Sequence, residues 1–169
     1  MIPINITTAR GFLIRNVRPH EYEAYGSINE LVGSPESWRN DFVNWANTGA
    51  TQLFIIRRGA SGQNSGLLAV AEGTVMGFIR IVNTVRHDVS FRVHPQFRGQ
   101  GVMKEALNST FSYVLTNVAN YRLWVETRSD NYPVIHIMNN VFRLRGQLNH
   151  FGGGGVFWQF GWVEWTAPR

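Results

Sequence analysis

Val93-His94-Pro95-Gln96-Phe97-Arg98-Gly99-Gln100-Gly101-Val102-Met103 reads as strand, loop and helix in eleven consecutive residues. Pro95 closes the strand, because proline cannot donate to a ladder. Gly99 and Gly101 can adopt positive φ and let the backbone approach a ligand closely. The helix that follows presents unsatisfied N–H groups, and the positive end of its dipole, to the loop. A diphosphate suits such a cradle, with Arg98 available for its charge. Taken alone, Gly-x-Gly before a helix also describes a plain tight turn. Two phosphate-binding rivals fail on the residues themselves: no Gly-Lys-Ser/Thr is present, and Lys104 stands where the dinucleotide fingerprint needs a third glycine.

The helix after the loop is the strongest in the sequence. Met103, Ala106, Leu107, Thr110, Phe111, Val114, Leu115 and Val118 recur at the helical period and predict one buried stripe. Upstream, Phe12 to Arg18 predicts a first strand and Pro19 to Leu31 a helix with Glu21 and Glu23 in its first turn. Ser34 and Pro35 predict the cap and first residue of a second helix, whose Trp38, Phe42 and Trp45 form an apolar stripe read as core packing. Thr51 to Arg58 is β-rich but has no assigned place. Gly59 to Gly66 reads as a long hairpin loop, Leu67–Glu72 and Thr74–Val82 as a hairpin, and Asp88 to Val93 as a strand. Downstream, Tyr121 to Thr127 predicts a strand and Pro133 to Asn140 a short helix with Val134, Ile137 and Met138 inward. Arg145–Phe151 and Val156–Trp165 predict two strands around a glycine loop. The expectation is one mixed α/β (α+β) domain over 1–169.

Composition limits the function classes. The 169 residues are 44% apolar and 16% charged, a globular balance. There is no cysteine, so neither a disulfide framework nor a thiolate metal site is expected. The five histidines show no ligand spacing, so no metal is expected. Gly-x-Ser-x-Gly is absent. The formal charge of +5 rests on fifteen arginines and the single Lys104. Arginine suits phosphate, but the arginines are scattered, with only Arg57-Arg58 adjacent, and form no nucleic-acid stripe. No apolar run approaches the roughly 20 residues that span a bilayer. Met1 to Asn5 carry no basic segment leading into an apolar core, so a cytoplasmic location without a membrane partner is the expectation.

Gln96-x-x-Gly99-x-Gly101 resembles the Gln/Arg-x-x-Gly-x-Gly/Ala signature of the GNAT superfamily of N-acetyltransferases. The string VHPQFRGQGVMKEAL (93–107) is similar to the ribosomal-protein N-terminal acetyltransferase branch. FLIRNVRPHEYEAY (12–25) resembles that branch's first strand and helix, and GTVMGFIRIV (73–82) its central hairpin. Leu123–Glu126, Asn131 and Val134–Met138 resemble the next strand and short helix, and the closing β-pair also fits.

This resemblance implies a twisted, mostly antiparallel sheet flanked by about four helices, with a V-shaped splay between two central strands that takes the pantetheine arm of acetyl-CoA. It implies that Phe91, Arg92 and Val93 line the arm. It also implies that Gln96 and the backbone of Arg98, Gly99, Gln100, Gly101, Val102 and Met103 hold the pyrophosphate. Asn131 matches a family asparagine that touches the cofactor; a helix cap is the alternative reading. The implied reaction is direct attack of an amine on the thioester, needing a base for the ammonium and an acid for the leaving thiolate.

Asp88 stands roughly where relatives carry an acidic base, though a strand-end surface aspartate fits equally; Glu72 and Glu126 are weaker candidates. The tyrosine that many relatives use as the acid is replaced by Met138, a frequent serine by Val134, and the glycine of a Gly-Phe pair by Val141. His136 is the remaining candidate acid. The expected acceptor is a protein or peptide N-terminus. The alternatives are a small amine, the amino acid of a charged tRNA, or a catalytically weakened CoA-binding module. Monomer and homodimer are both open.

Overall fold

The computed structural model describes residues 1–29, 33–58, 70–84, 86–118, 121–143, 147–151 and 155–162. The strands are β1 (Asn5–Thr7), β2 (Phe12–Asn16), β3 (Thr51–Arg57), β4 (Val75–Ile81), β5 (Val89–Val93), β6 (Trp124–Arg128), β7 (Gln147–Phe151) and β8 (Gly155–Trp162). The helices are α1 (Tyr22–Asn29), α2 (Pro35–Asn47), α3 (Val102–Asn117) and α4 (Tyr132–His136). This is the mixed α/β class expected from sequence. The residues fall into two compact units, Met1–Asn83 with Ser90–Thr110, and Thr84–Val89 with Phe111–Arg169. No described helix is long and apolar enough to cross a membrane.

In the first unit the sheet order is β1-β2-β3-β4-β5. Its middle strand is β3, the segment that sequence left unplaced. Every residue from Thr51 to Arg57 is buried. Such a strand reads as a continuous apolar run (Leu53 to Ile56) instead of alternating. β3 is also the hairpin partner of β4, antiparallel with Phe54 opposite Phe78. The expected strand before Gly73 is corrected accordingly: Val70 to Glu72 are not strand, and 67–69 lie outside the described residues, as does the 59–66 loop. Glu72-Gly73 does turn, with Gly73 at φ +84°. The turn serves to bring Thr74 O to Arg57 N at 2.8 Å. The edge strand β1, paired with β2, was not expected.

Tyr25, Ile28 and Phe42 of α1 and α2 pack with Phe54, Ile56 and Phe78 of the sheet. The rings meet edge-on, Tyr25 on Phe78 at 5.1 Å and on Phe42 at 5.9 Å, the favoured geometry for aromatic quadrupoles. Ser34 caps α2 by accepting from Ser37 N, and Pro35 opens it, as expected. α1 starts later than its sequence suggested. Glu21 is held outside it by the two terminal guanidinium nitrogens of Arg15 (2.8 Å from Nη1) and by Arg18 N. Within the predicted aromatic stripe only Phe42 is fully buried. Trp38 lies against Gly26, and Trp45 lies under the Arg80 guanidinium at 4.1 Å.

α3 buries Met103, Ala106, Leu107, Thr110, Phe111 and Val114 of the stripe read from its period, and Val102 beside them. Leu115 of that stripe is only half-buried, and Val118, also half-buried, lies past the helix end at Asn117. In the second unit, β8 pairs with β6 and β7, all antiparallel. Asp88 and Trp124 form an isolated parallel bridge at the entry to β5. The strand expected from Tyr121 begins only at Trp124, and Tyr121 stacks on His87 at 4.0 Å. α4 continues into a π-helical turn, Ile137–Val141, that buries Met138 completely.

A β-carbon on Gly26 would overlap the Trp38 indole, so α1 and α2 approach at a spacing only glycine permits. Gly26→Ala gains about 1 kcal/mol of helix propensity. It should still destabilise the protein, by about 1–3 kcal/mol, through overpacking. Urea denaturation of the variant checks this, and a stabilised Gly26→Ala would contradict the packing.

Candidate functional site

The loop between β5 and α3 is built to leave donors unused. His94 N still pairs with Met76 O of β4 at 2.9 Å. Pro95 to Phe97 then form one 3-10 turn, His94 Nδ1 accepts from Gln96 N at 3.4 Å, and the Phe97 ring is buried as an anchor. Backbone bonds continue to Arg98, whose N–H reaches Pro95 O at 3.3 Å. They resume at Glu105, whose N–H reaches Gly101 O at 3.2 Å. Between them, the N–H groups of Gly99, Gln100, Gly101, Val102, Met103 and Lys104 have no backbone acceptor among the described residues. Gly99 and Gly101 take φ +75° and +74°, the left-handed region that favours glycine. Among the described residues, a β-carbon on Gly99 would meet nothing within 4 Å. Successive free N–H groups before a helix make an anion cradle.

The side chains around this backbone divide cleanly. Val102 and Met103 are buried and contribute their N–H groups while anchoring α3 in the core. Gln96 and Arg98 are exposed, and Arg98 Nε donates to Val93 O at 3.4 Å. Gln100 Nε2 folds back onto Gln96 O at 3.0 Å. On β5, Phe91 and Val93 are half-buried on one face and Arg92 is exposed on the other. Gly77 of β4 lies so close that a β-carbon there would stand 2.9 Å from Arg92 O. Thus the structure gathers the predicted loop residues and β5 residues in one unit.

Three other sequence candidates lie in the second unit. Asn131 opens α4, but its side chain makes no cap; Nδ2 donates to Thr127 Oγ1 at 2.8 Å. Asp88 is half-buried, with Oδ2 accepting from Thr84 Oγ1 at 2.9 Å. His136 is exposed, and Asn140 Nδ2 donates to its Nδ1 at 3.0 Å. Glu126 is also exposed, as is Glu72 in the first unit. Among the described residues no group of three His, Asp or Glu side chains could hold a metal ion.

Sequence reading missed a buried polar cluster in the first unit. Arg80 of β4 donates from Nη2 to the Tyr25 hydroxyl, and the hydroxyl is also bonded to Asp41 of α2. Arg80 Nε has no hydrogen-bond acceptor among the described residues, but the guanidinium lies over Trp45 and near the Tyr25 and Phe78 rings. The one available signal was a lone charge inside the apolar run from Val75 to Val82. Burial pushes the Tyr25 hydroxyl up to about 12, helped by the Asp41 carboxylate. Burial also holds Arg80 below the ordinary arginine value.

The model of the acetyltransferase (GNAT) domain matches residues 12–141. The chain belongs to the GNAT acetyltransferases. Residues of both units of this GNAT domain fall within the match. A GNAT-family acetyltransferase from Bacillus anthracis superposes with TM-score 0.68 at 18% identity, covering 93% of this chain and 96% of that one. RimL, a ribosomal L7/L12 alpha-N-protein acetyltransferase, superposes at 0.70 with 12% identity, covering 97% and 96%. A second RimL structure, in complex with coenzyme A, gives 0.68 at 12%, covering 92% and 97%. A spermidine N-acetyltransferase chimera of Vibrio cholerae SpeG and hSSAT gives 0.65 at 9%, covering 88% and 93%. At such identities the likeness is one of fold. No curated protein sequence matches the chain.

Because the folded Tyr25 value, about 12, lies above the ordinary 10.0, this group's contribution to stability is intact below pH 10 and fades as pH rises toward 12. Alkaline unfolding followed alongside phenolate absorbance should show one tyrosine ionising with that loss. Tyr25→Phe should remove this part of the pH dependence; an unaltered alkaline profile would contradict the assignment.

Proposed function

We propose that this GNAT domain moves an acetyl group from acetyl-CoA to a primary amine, with a protein or peptide N-terminus as the acceptor. The observation that carries the reading is the run of N–H groups from Gly99 to Lys104 at the head of α3. A diphosphate fits it: the donors are backbone, two glycines shape them, and the dipole end of α3 has the right sign. Bound acetyl-CoA supplies an activated thioester. Phe91 and Val93 offer the half-buried face that would line the pantetheine arm. The SpeG and RimL likenesses name two acceptor classes, a polyamine and a protein N-terminus. Charge favours the second, because a protein of formal charge +5 repels a polycation.

For proton handling, we assign the ammonium proton to Asp88, whose Oδ2 accepts from Thr84 and whose Oδ1 has no hydrogen-bond partner among the described residues. His136 is the proposed donor toward the departing thiolate. Met138, which replaces the tyrosine of many relatives, is fully buried and carries no proton.

Thermal melting with acetyl-CoA at 100 times its Kd should add about 2.7 kcal/mol to stability. No shift at millimolar acetyl-CoA would sink the cofactor reading. With cofactor bound, thiol release should be faster with N-terminal peptides than with spermidine; the reverse order would move the acceptor to small amines. Asp88→Asn should lower kcat/KM at neutral pH by about 100-fold or more. An unchanged pH–rate profile would remove Asp88 from the mechanism.

A further inference from the structure

Arg10 lies at the corner between β1 and β2, 90 residues from Gln100 in sequence, and makes one contact with Gln100 and two with Glu105. Its Nη1 donates to Gln100 O at 3.1 Å. Its backbone N–H donates to Glu105 Oε1 at 2.9 Å, and its Nε stands 3.6 Å from Glu105 Oε2. The guanidinium is packed so closely that a β-carbon on Gly101 would lie 3.2 Å from Nη1. The corner itself is firm. Gly11, at φ +77°, returns its N–H to Thr8 O at 3.0 Å, and the buried Arg57 donates from Nη1 to Arg10 O at 3.0 Å.

We propose that Arg10 is a positioning residue for the diphosphate cradle, setting the Gln100–Gly101 peptide and neutralising Glu105 at the head of α3. This rests on the acetyl-CoA reading above. First, all peptides of the described chain are trans, so drawing the Gln100 carbonyl toward Arg10 sends the Gly101 N–H to the opposite side of the same plane. One hydrogen bond therefore aims a donor that Arg10 never touches. Second, Glu105 occupies the first turn of α3, where the helix dipole favours a carboxylate. The same negative charge, one turn from the cradle, opposes a diphosphate. Arg10 engages both carboxylate oxygens, one from its backbone and one from its side chain, and offsets part of that opposition. Arg10 thus acts through Gln100 and Glu105, without itself needing to meet the ligand.

The test is calorimetric titration with CoA and with dephospho-CoA, which keeps the diphosphate and lacks the 3′-phosphate. Arg10→Ala should weaken both ligands equally, by about tenfold, as the Gly101 N–H loses its aim and Glu105 its counter-charge. Adding Glu105→Gln to Arg10→Ala should recover part of that affinity, since the opposing charge is gone; a purely structural role would not be repaired by removing a charge. Should Arg10→Ala fail to fold, Arg10→Gln, neutral and of similar size, carries the same comparison. Unchanged affinity in the variant would overturn the proposal. So would a loss confined to CoA, which would make Arg10 a direct 3′-phosphate ligand. So would a loss that Glu105→Gln leaves in full. Wild-type protein binding neither ligand would instead defeat the acetyl-CoA reading, and this proposal with it.

Discussion

A strand that must stop and a helix that must start leave six peptide N–H groups between Arg98 and Glu105 with no backbone acceptor among the described residues. The rest of the first unit is arranged around that constraint. Pro95 ends the ladder of β5, the buried Phe97 pins the 3-10 turn, and two glycines at positive φ redirect the chain. The buried stripe of α3 then fixes the helix axis, so its orphan donors keep one direction. None of these features is unusual alone. Their order along the chain sets six donors side by side at a helix start, the arrangement that the proposed diphosphate needs without reorganisation.

A second polar feature lies away from that cradle, and its cost is different. Arg80 is a cation on an otherwise apolar strand, 9% exposed. Burying such a charge is unfavourable unless it is paired and bonded. Tyr25 from α1, Asp41 and Trp45 from α2, and Phe78 beside it on β4 supply the partners. Because these partners come from both helices, the cluster sets how α1 and α2 seat on the sheet. The overlap that any side chain at Gly26 would cause with Trp38 imposes the same fit by packing.

Sequence alone made the local features legible and the long-range ones only where a family likeness supplied them. The 3.6-residue period of α3, the Ser34-Pro35 entry to α2 and the loop glycines each depend on neighbours in sequence, and each lies where its residues predict. β3 was visible as β-rich but not as the middle strand, because an uninterrupted apolar run carries no period to interpret. β1 has three residues, too few for alternation to register. Glu21 resembled a first-turn acid until Arg15, six residues away on β2, took it. Asn131 had the sequence of a cap, yet Thr127 holds its side chain. Arg10 had no local signal at all: its partners Gln100 and Glu105 lie 90 and 95 residues downstream.

The central claim is that the backbone amides heading α3 hold the diphosphate of acetyl-CoA. Its most direct test is a titration of ¹⁵N-labelled protein with acetyl-CoA, following amide resonances. The amides of Gly99 to Lys104 should shift most, with the glycines Gly99 and Gly101 moving downfield as they gain an anionic acceptor. Saturable binding that leaves those six amides in place while others move would contradict it.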